Sequence, residues 1–194
     1  MSMRIGLFGG TFDPVHNGHI SIVRSFLKSG YIDKLWILLT PVPPHKLNKE
    51  HVSYDHRKEM LRLAFQDVEH VSISTIEQTL PKPSYMVQTV THLAQKYPED
   101  EFSLCIGEDS MAQFHTWKDY RKLLEHCQLL VAERPDTDHS EVGSEIMEKV
   151  QFIPHDPVEA SSTEIRELLN SGNDPQLLLP DRVYSYIKEH KLYQ

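Results

Sequence analysis

Arg4-Ile5-Gly6-Leu7-Phe8-Gly9-Gly10-Thr11-Phe12-Asp13-Pro14-Val15-His16-Asn17-Gly18-His19 is the stretch that decides the fold. Its first five residues are a short apolar run with the length of a buried parallel strand. The residues after it, Ile20-Ser21-Ile22-Val23-Arg24-Ser25-Phe26-Leu27, place apolar side chains at helical spacing. The stretch therefore reads as strand, loop and helix start. Glycines 9 and 10 are expected to let the backbone bend sharply and come close to a ligand. A helix beginning near Asn17 points free N–H groups and the positive end of its dipole into the same space, which suits phosphate. His16 and His19 stand across the first helical turn, so both imidazoles project from one side, with Gly18 between them keeping the approach open.

This is neither common phosphate loop. The dinucleotide fingerprint needs Gly-x-Gly-x-x-Gly, and the Walker loop closes on Gly-Lys-Ser/Thr; here Gly-Gly is followed by two histidines and no lysine. Without further context a tight turn and two surface histidines would also fit. A second anion site is suggested by Ser161-Ser162-Thr163-Glu164-Ile165-Arg166. Ser161 followed by Glu164 is a capping box, so the segment starts a helix. Hydroxyls at 162 and 163, free N–H groups and Arg166 one turn on would also form a phosphate cradle.

Working outward, strands are expected at about 4–8, 34–39, 71–76, 102–106, 127–132 and 150–153. Helices are expected at about 18–29, 54–67, from after Ser84 to near Tyr97-Pro98, at 162–170 and at 181–190. Such alternation implies an α/β fold: a doubly wound parallel sheet in one domain over residues 1–194. Ligands of such sheets sit outside the carboxyl ends of the strands, where the strand order reverses. Segments 41–53 and 134–140 read as surface loops, the first long enough to bind a ligand.

The formal charge of −8 argues against a protein that coats nucleic acid, which needs clustered Lys and Arg. No long apolar run or charged-then-apolar leader suggests a membrane or export. Cys105 and Cys127, outside any Cys-x-x-Cys pair, point to a reduced cytoplasm with both thiols buried. No zinc spacing is found among the histidines. His51, Asp55 and His56 read as polar residues at a helix start, so no structural metal is expected. A homo-oligomer is compatible with such a chain.

The Gly9 to His19 segment matches the His-x-Gly-His signature of the nucleotidyltransferase superfamily, and the Ser161 to Arg166 segment resembles that superfamily's carboxyl-terminal triphosphate motif. Over nearly its whole length the chain resembles the bacterial nicotinate-mononucleotide adenylyltransferases. Further matches are Pro43-Pro44-His45-Lys46, Pro83-Ser84-Tyr85 with Thr89, Ile106-Gly107-Glu108-Asp109, Trp117-Lys118, Glu133-Arg134-Pro135 and a helix from Pro180 to Tyr193, in the family's order. The resemblance implies a Rossmann-like nucleotidyltransferase fold and adenylyl transfer from ATP to nicotinate mononucleotide, with pyrophosphate released and with magnesium arriving on ATP. It implies that His16, His19, Lys46 and Arg166 act on the phosphates, and that Gly9, Gly10, Thr11, Phe12, Gly18, Gly107, Asp109, Arg134, Ser161, Ser162 and Thr163 hold ATP. Asp109 would accept the ribose hydroxyls. Asp13, His45, Tyr85, Met86, Thr89, Trp117 and Lys118 would hold the pyridine nucleotide, with Trp117 stacking on its ring.

Two departures from the family pattern stand out. Val15 replaces the usual proline, and Met86-Val87-Gln88 stands where members commonly carry Thr and Asp. The second leaves nicotinamide mononucleotide open as the acceptor. Phosphopantetheine, used elsewhere in the superfamily, is a further alternative, and a module that senses ATP without turnover is another. That last reading would predict a damaged His-x-Gly-His or Ser-Ser-Thr motif, and both are intact.

Overall fold

A computed structural model of the protein describes residues 2–42, 51–134 and 137–194. Six strands, β1 (Arg4–Gly10), β2 (Lys34–Leu39), β3 (Val71–Ser74), β4 (Glu101–Gly107), β5 (Cys127–Glu133) and β6 (Val150–Pro154), form one sheet in the order β3-β2-β1-β4-β5-β6. Every pairing is parallel. Helices α1 (Asn17–Lys28), α2 (Tyr54–Phe65), α3 (Met86–Lys96), α4 (Glu108–Ala112), α5 (Tyr120–His126), α6 (Ser144–Met147), α7 (Ser162–Asn170) and α8 (Asp181–Glu189) link or follow the strands.

The central strands are mainly apolar because both faces of the sheet are covered, as parallel sheets require. Successive residues alternate between two cores. On one face Phe8, Leu35, Ile37 and Leu130 meet α1, α2, α7 and α8 through Phe26, Leu61, Ile165 and Ile187. On the other, Ile5, Leu7, Leu104, Leu129 and Val131 meet α3, α5 and α6 through Val90, Leu93, Leu123 and Ile146. Helix ends follow local chemistry. Ser53 Oγ accepts from the N–H of His56 at the start of α2, and Gly30, at φ +76°, turns the chain after α1.

The expected strands and long helices lie where the apolar spacing placed them, with two differences. The third strand ends at Ser74, and Ile76–Thr79 is a 3-10 turn. Three short helices, α4, α5 and α6, occupy positions where none was expected. The order reverses between β1 and β4, so the crevice outside the ends of these two strands, near Gly10 and Gly107, is where this architecture holds ligands.

Candidate active site

His16 is the N-cap of α1 and His19 its third residue. Their rings lie 3.7 Å apart, and the His16 N–H donates to His19 Nδ1 at 3.2 Å. That bond makes Nδ1 an acceptor, so neutral His19 carries its proton on Nε2 and has one N–H to offer a ligand. Burial pushes the His16 imidazole down to about 4. His19 is also well below the ordinary value, first through burial and then through His16 beside it. The free site therefore holds two neutral imidazoles near pH 7.

The sharp bend does not fall at the glycines. Gly9 and Gly10 belong to β1, and the chain turns at Phe12, with φ +48°. The glycines serve close packing instead. A Cβ on Gly9 would stand 2.6 Å from Met86 Cε, and one on Gly10 2.8 Å from the Phe12 ring. Gly18 is tight rather than open, since a Cβ there would meet the His16 ring at 3.1 Å and the Val158 carbonyl at 3.2 Å.

Helix α7 lies beside the loop that leads into α1. Ser161 caps it by accepting from the Glu164 N–H at 3.1 Å. Ser162 Oγ donates to the Pro14 carbonyl at 2.9 Å, Arg166 Nη1 to the Asp13 carbonyl at 2.7 Å, and Arg166 Nη2 to Thr163 Oγ1 at 3.2 Å. The starts of α1 and α7 are thus tied together through the Asp13-Pro14 turn, with Arg166 beside it; helix starts of this kind suit anions. A cavity of about 150 Å³ at the start of α1 is lined by Phe8, His16, Gly18, His19, Gly107 and Arg134, and also by His155, Val158 and Ala160, which precede α7. His155 was not anticipated. It follows the last residue of β6 and bonds Ser25 Oγ through Nδ1 at 3.0 Å. Burial lowers its pKa, and Arg134 adds to that while Asp156 opposes it. Its position just past a strand's carboxyl end was the only signal in the sequence.

At the rim, Arg134 Nη2 lies 3.2 Å from Asp109 Oδ2. Both side chains are exposed, so the pair is weak and available for exchange with a ligand. Glu108, next to Asp109, is turned inward. It is 3% exposed and accepts from Thr137 Oγ1 and from His139 Nε2 at 3.0 Å. Burial pushes this carboxyl up, yet those bonds and the Arg134 N–H outweigh it and leave the pKa below its ordinary value. Glu108 thereby anchors the segment that carries Arg134.

Tyr85, Met86, Trp117 and Lys118 gather on the other side of β1. Lys118 Nζ sits 4.3 Å from the Tyr85 ring centroid, Met86 reaches Gly9, and half-buried Trp117 tilts against Phe114 at 5.1 Å. Two expected ligand contacts are engaged within the protein. Thr89 is 1% exposed and donates to Glu77 Oε1 at 3.0 Å. Asp13 is 3% exposed, and its carboxylate bonds His51 Nδ1 and the Tyr193 hydroxyl, each at 2.7 Å. His45 and Lys46 lie outside the described residues. His51, Asp55 and His56 do not converge: His51 turns to Asp13 and His56 to the Tyr186 hydroxyl at 2.8 Å.

Residues 7–168 match the family model described as cytidylyltransferase-like. A protein of Flavobacterium johnsoniae named probable nicotinate-nucleotide adenylyltransferase is 36% identical over 99% of this chain and 100% of its own length. The Bacillus subtilis protein named nicotinate-nucleotide adenylyltransferase is 36% identical over 98% of both. Among solved structures, the Plasmodium falciparum nicotinic acid mononucleotide adenylyltransferase complexed with NaAD superposes with a TM-score of 0.80 at 18% identity, covering 98% of this chain and 97% of that one. That likeness establishes the fold.

Proposed function

The chain belongs to the cytidylyltransferase-like family and, within it, to the nicotinate-nucleotide adenylyltransferases, and from this premise we propose how its site works. The enzyme transfers the adenylyl group of ATP to nicotinate mononucleotide, forming the deamido dinucleotide and pyrophosphate in NAD biosynthesis. The observation that carries the mechanism is the lacing of α7 to the loop before α1 through Ser162–Pro14 and Arg166–Asp13, which sets two helix starts around one crevice.

A phosphate oxygen of the mononucleotide attacks the α-phosphorus of ATP in line as the bond to pyrophosphate breaks. A phosphate monoester has a second pKa of about 6, so this nucleophile is already ionised and needs no general base. The protein supplies alignment and positive potential where charge builds. His19 donates from Nε2 and His16 from its ring to the phosphates, with Arg166, Arg134, Lys46 and the starts of α1 and α7 adding to the field. Ser161, Ser162 and Thr163 frame the triphosphate. The backbone from Gly9 to Phe12, with Gly18 and Gly107, lies close to the nucleotide, and Asp109, released from Arg134, takes the ribose hydroxyls. Trp117, Tyr85, Met86, Lys118 and His45 form the pyridine side.

Family members work on ATP with a divalent metal, here magnesium in our reading. Among the described residues no group of three or more His, Cys, Asp or Glu is placed to hold an ion. In this reading the cation is carried on phosphate oxygens and water. No described helix is long and apolar enough to cross a membrane. We place the enzyme in the cytoplasm, a setting that fits its two free, buried cysteines.

Pyrophosphate release from ATP and magnesium, with nicotinate mononucleotide, nicotinamide mononucleotide or phosphopantetheine supplied separately at equal concentration, tests the assignment. Release should depend on the nicotinate form. Preference for either other acceptor would overturn the substrate assignment, and ATP binding without release would overturn turnover itself.

A further inference from the structure

We propose that Tyr193, beyond α8, is a positioning residue for adenylyl transfer: its hydroxyl grips Asp13 and so holds the loop that delivers His16 to the phosphates. The inference rests on the reading of His16 and His19 as phosphate donors.

Several bonds reach residues 11–14 from distant parts of the chain. Asp13 Oδ1 accepts from the Tyr193 hydroxyl and Oδ2 pairs with His51 Nδ1, each at 2.7 Å. Arg57, 2% exposed, donates from Nη1 to the Thr11 carbonyl at 2.8 Å and the Thr40 carbonyl at 3.0 Å, and from Nε to the Val52 carbonyl at 3.1 Å. Phe12 sits at φ +48°, a region that a side-chain-bearing residue keeps only when its surroundings over-determine it.

The segment after α8 is shaped for this reach. Lys191 and Tyr193 take φ values of +51° and +63°, and Leu192 between them is buried in the core. Tyr193 remains a donor across any working pH, because burial and then the Asp13 charge raise its pKa. Removing its hydroxyl strips one oxygen of a buried carboxylate of its partner, which costs far more than losing an exposed bond. The loop is the nearest element able to relax, and His16 follows it by two residues.

Tyr186 provides a matched control. Its hydroxyl bonds His56 Nδ1 at 2.8 Å, joining α8 to α2 without touching Asp13. Tyr193→Phe and Tyr186→Phe should both lower the melting temperature. Only Tyr193→Phe should lower kcat at 25 °C, by about tenfold, the scale for one bond to a buried charge. His51→Leu, which strips the other Asp13 oxygen, should lower kcat in the same direction and serves if Tyr193→Phe folds poorly. Wild-type kcat in both of these variants, or an equal loss of kcat in Tyr186→Phe, would overturn the proposal. Imidazole ¹⁵N resonances of His16 and His19 give a reading free of turnover: they should move in Tyr193→Phe and stay in Tyr186→Phe. A wild-type enzyme inactive on nicotinate mononucleotide would sink the functional assignment alone. Unmoved resonances would sink the positioning role alone.

Discussion

The His16 N–H donates to His19 Nδ1 at 3.2 Å, so the backbone of the residue that caps α1 sets the tautomer of the second histidine. A helix N-cap thus fixes where His19 carries its proton, and the ring presents Nε2–H without having to be charged.

His19→Ala removes that donor and releases the His16 N–H. We expect kcat to fall by roughly 100-fold or more, the usual scale for a preorganised donor at developing charge, with a smaller change in KM for ATP. Steady-state pyrophosphate release measures it, and an alanine variant with wild-type kcat would remove His19 from the mechanism.

Acid should destabilise the fold through His16. Its folded pKa of about 4 lies below the unfolded value of about 6.5, so on acidification the unfolded chain takes up the proton first. No penalty is present above that unfolded value; it grows from pH 6.5 to 4 and levels off below. Over this window the group should cost about 3 kcal/mol. Urea unfolding at pH 7 and pH 4 should show His16→Asn losing less stability than wild type by about that amount. Equal losses would mean that His16 is not held neutral.

Arg134→Gln separates binding from stability. The Arg134–Asp109 pair is exposed, so its loss should change unfolding free energy by less than about 1 kcal/mol. KM for ATP should nevertheless rise several-fold, since a cation is withdrawn from the rim of the cavity. Unchanged kinetics with a destabilised fold would reverse this assignment.

Thr89→Val should behave in the opposite way. Its hydroxyl donates to Glu77, which is 2% exposed, and burial already raises that carboxyl's pKa. Stability should drop by about 1–3 kcal/mol, the cost of leaving a buried acceptor unpaired. KM for the mononucleotide should hold, whereas a large rise would return Thr89 to the pyridine pocket.

Gly9→Ala and Met86→Ala should be coupled. The new methyl of Gly9→Ala would stand 2.6 Å from Met86 Cε, the far end of a flexible side chain that can swing away. The single variant should cost about 1–3 kcal/mol through overpacking and raise KM for the mononucleotide. Adding Met86→Ala should recover most of the stability, and a double-mutant cycle showing additivity would deny the contact.

Much of this was legible in the chain because it depends on local periodicity. The apolar run at 34–39 coincides with β2, and the capped segment at 162–170 with α7. Helices α4 and α5 escaped notice because five and seven residues are too short to show a helical period. His155 escaped because a single histidine after a strand has no partner within reach of a motif.

Sequence alone determined the alternating α/β architecture, the two capped helix starts and the His-x-Gly-His motif, since each is encoded by neighbours a few residues apart. Only the tertiary structure decided what Asp13, Glu108 and Thr89 do. Their partners stand 180 residues away at Tyr193, 31 at His139 and 12 at Glu77. A buried carboxylate takes whichever donors the fold brings to it, and no spacing along the chain encodes that meeting.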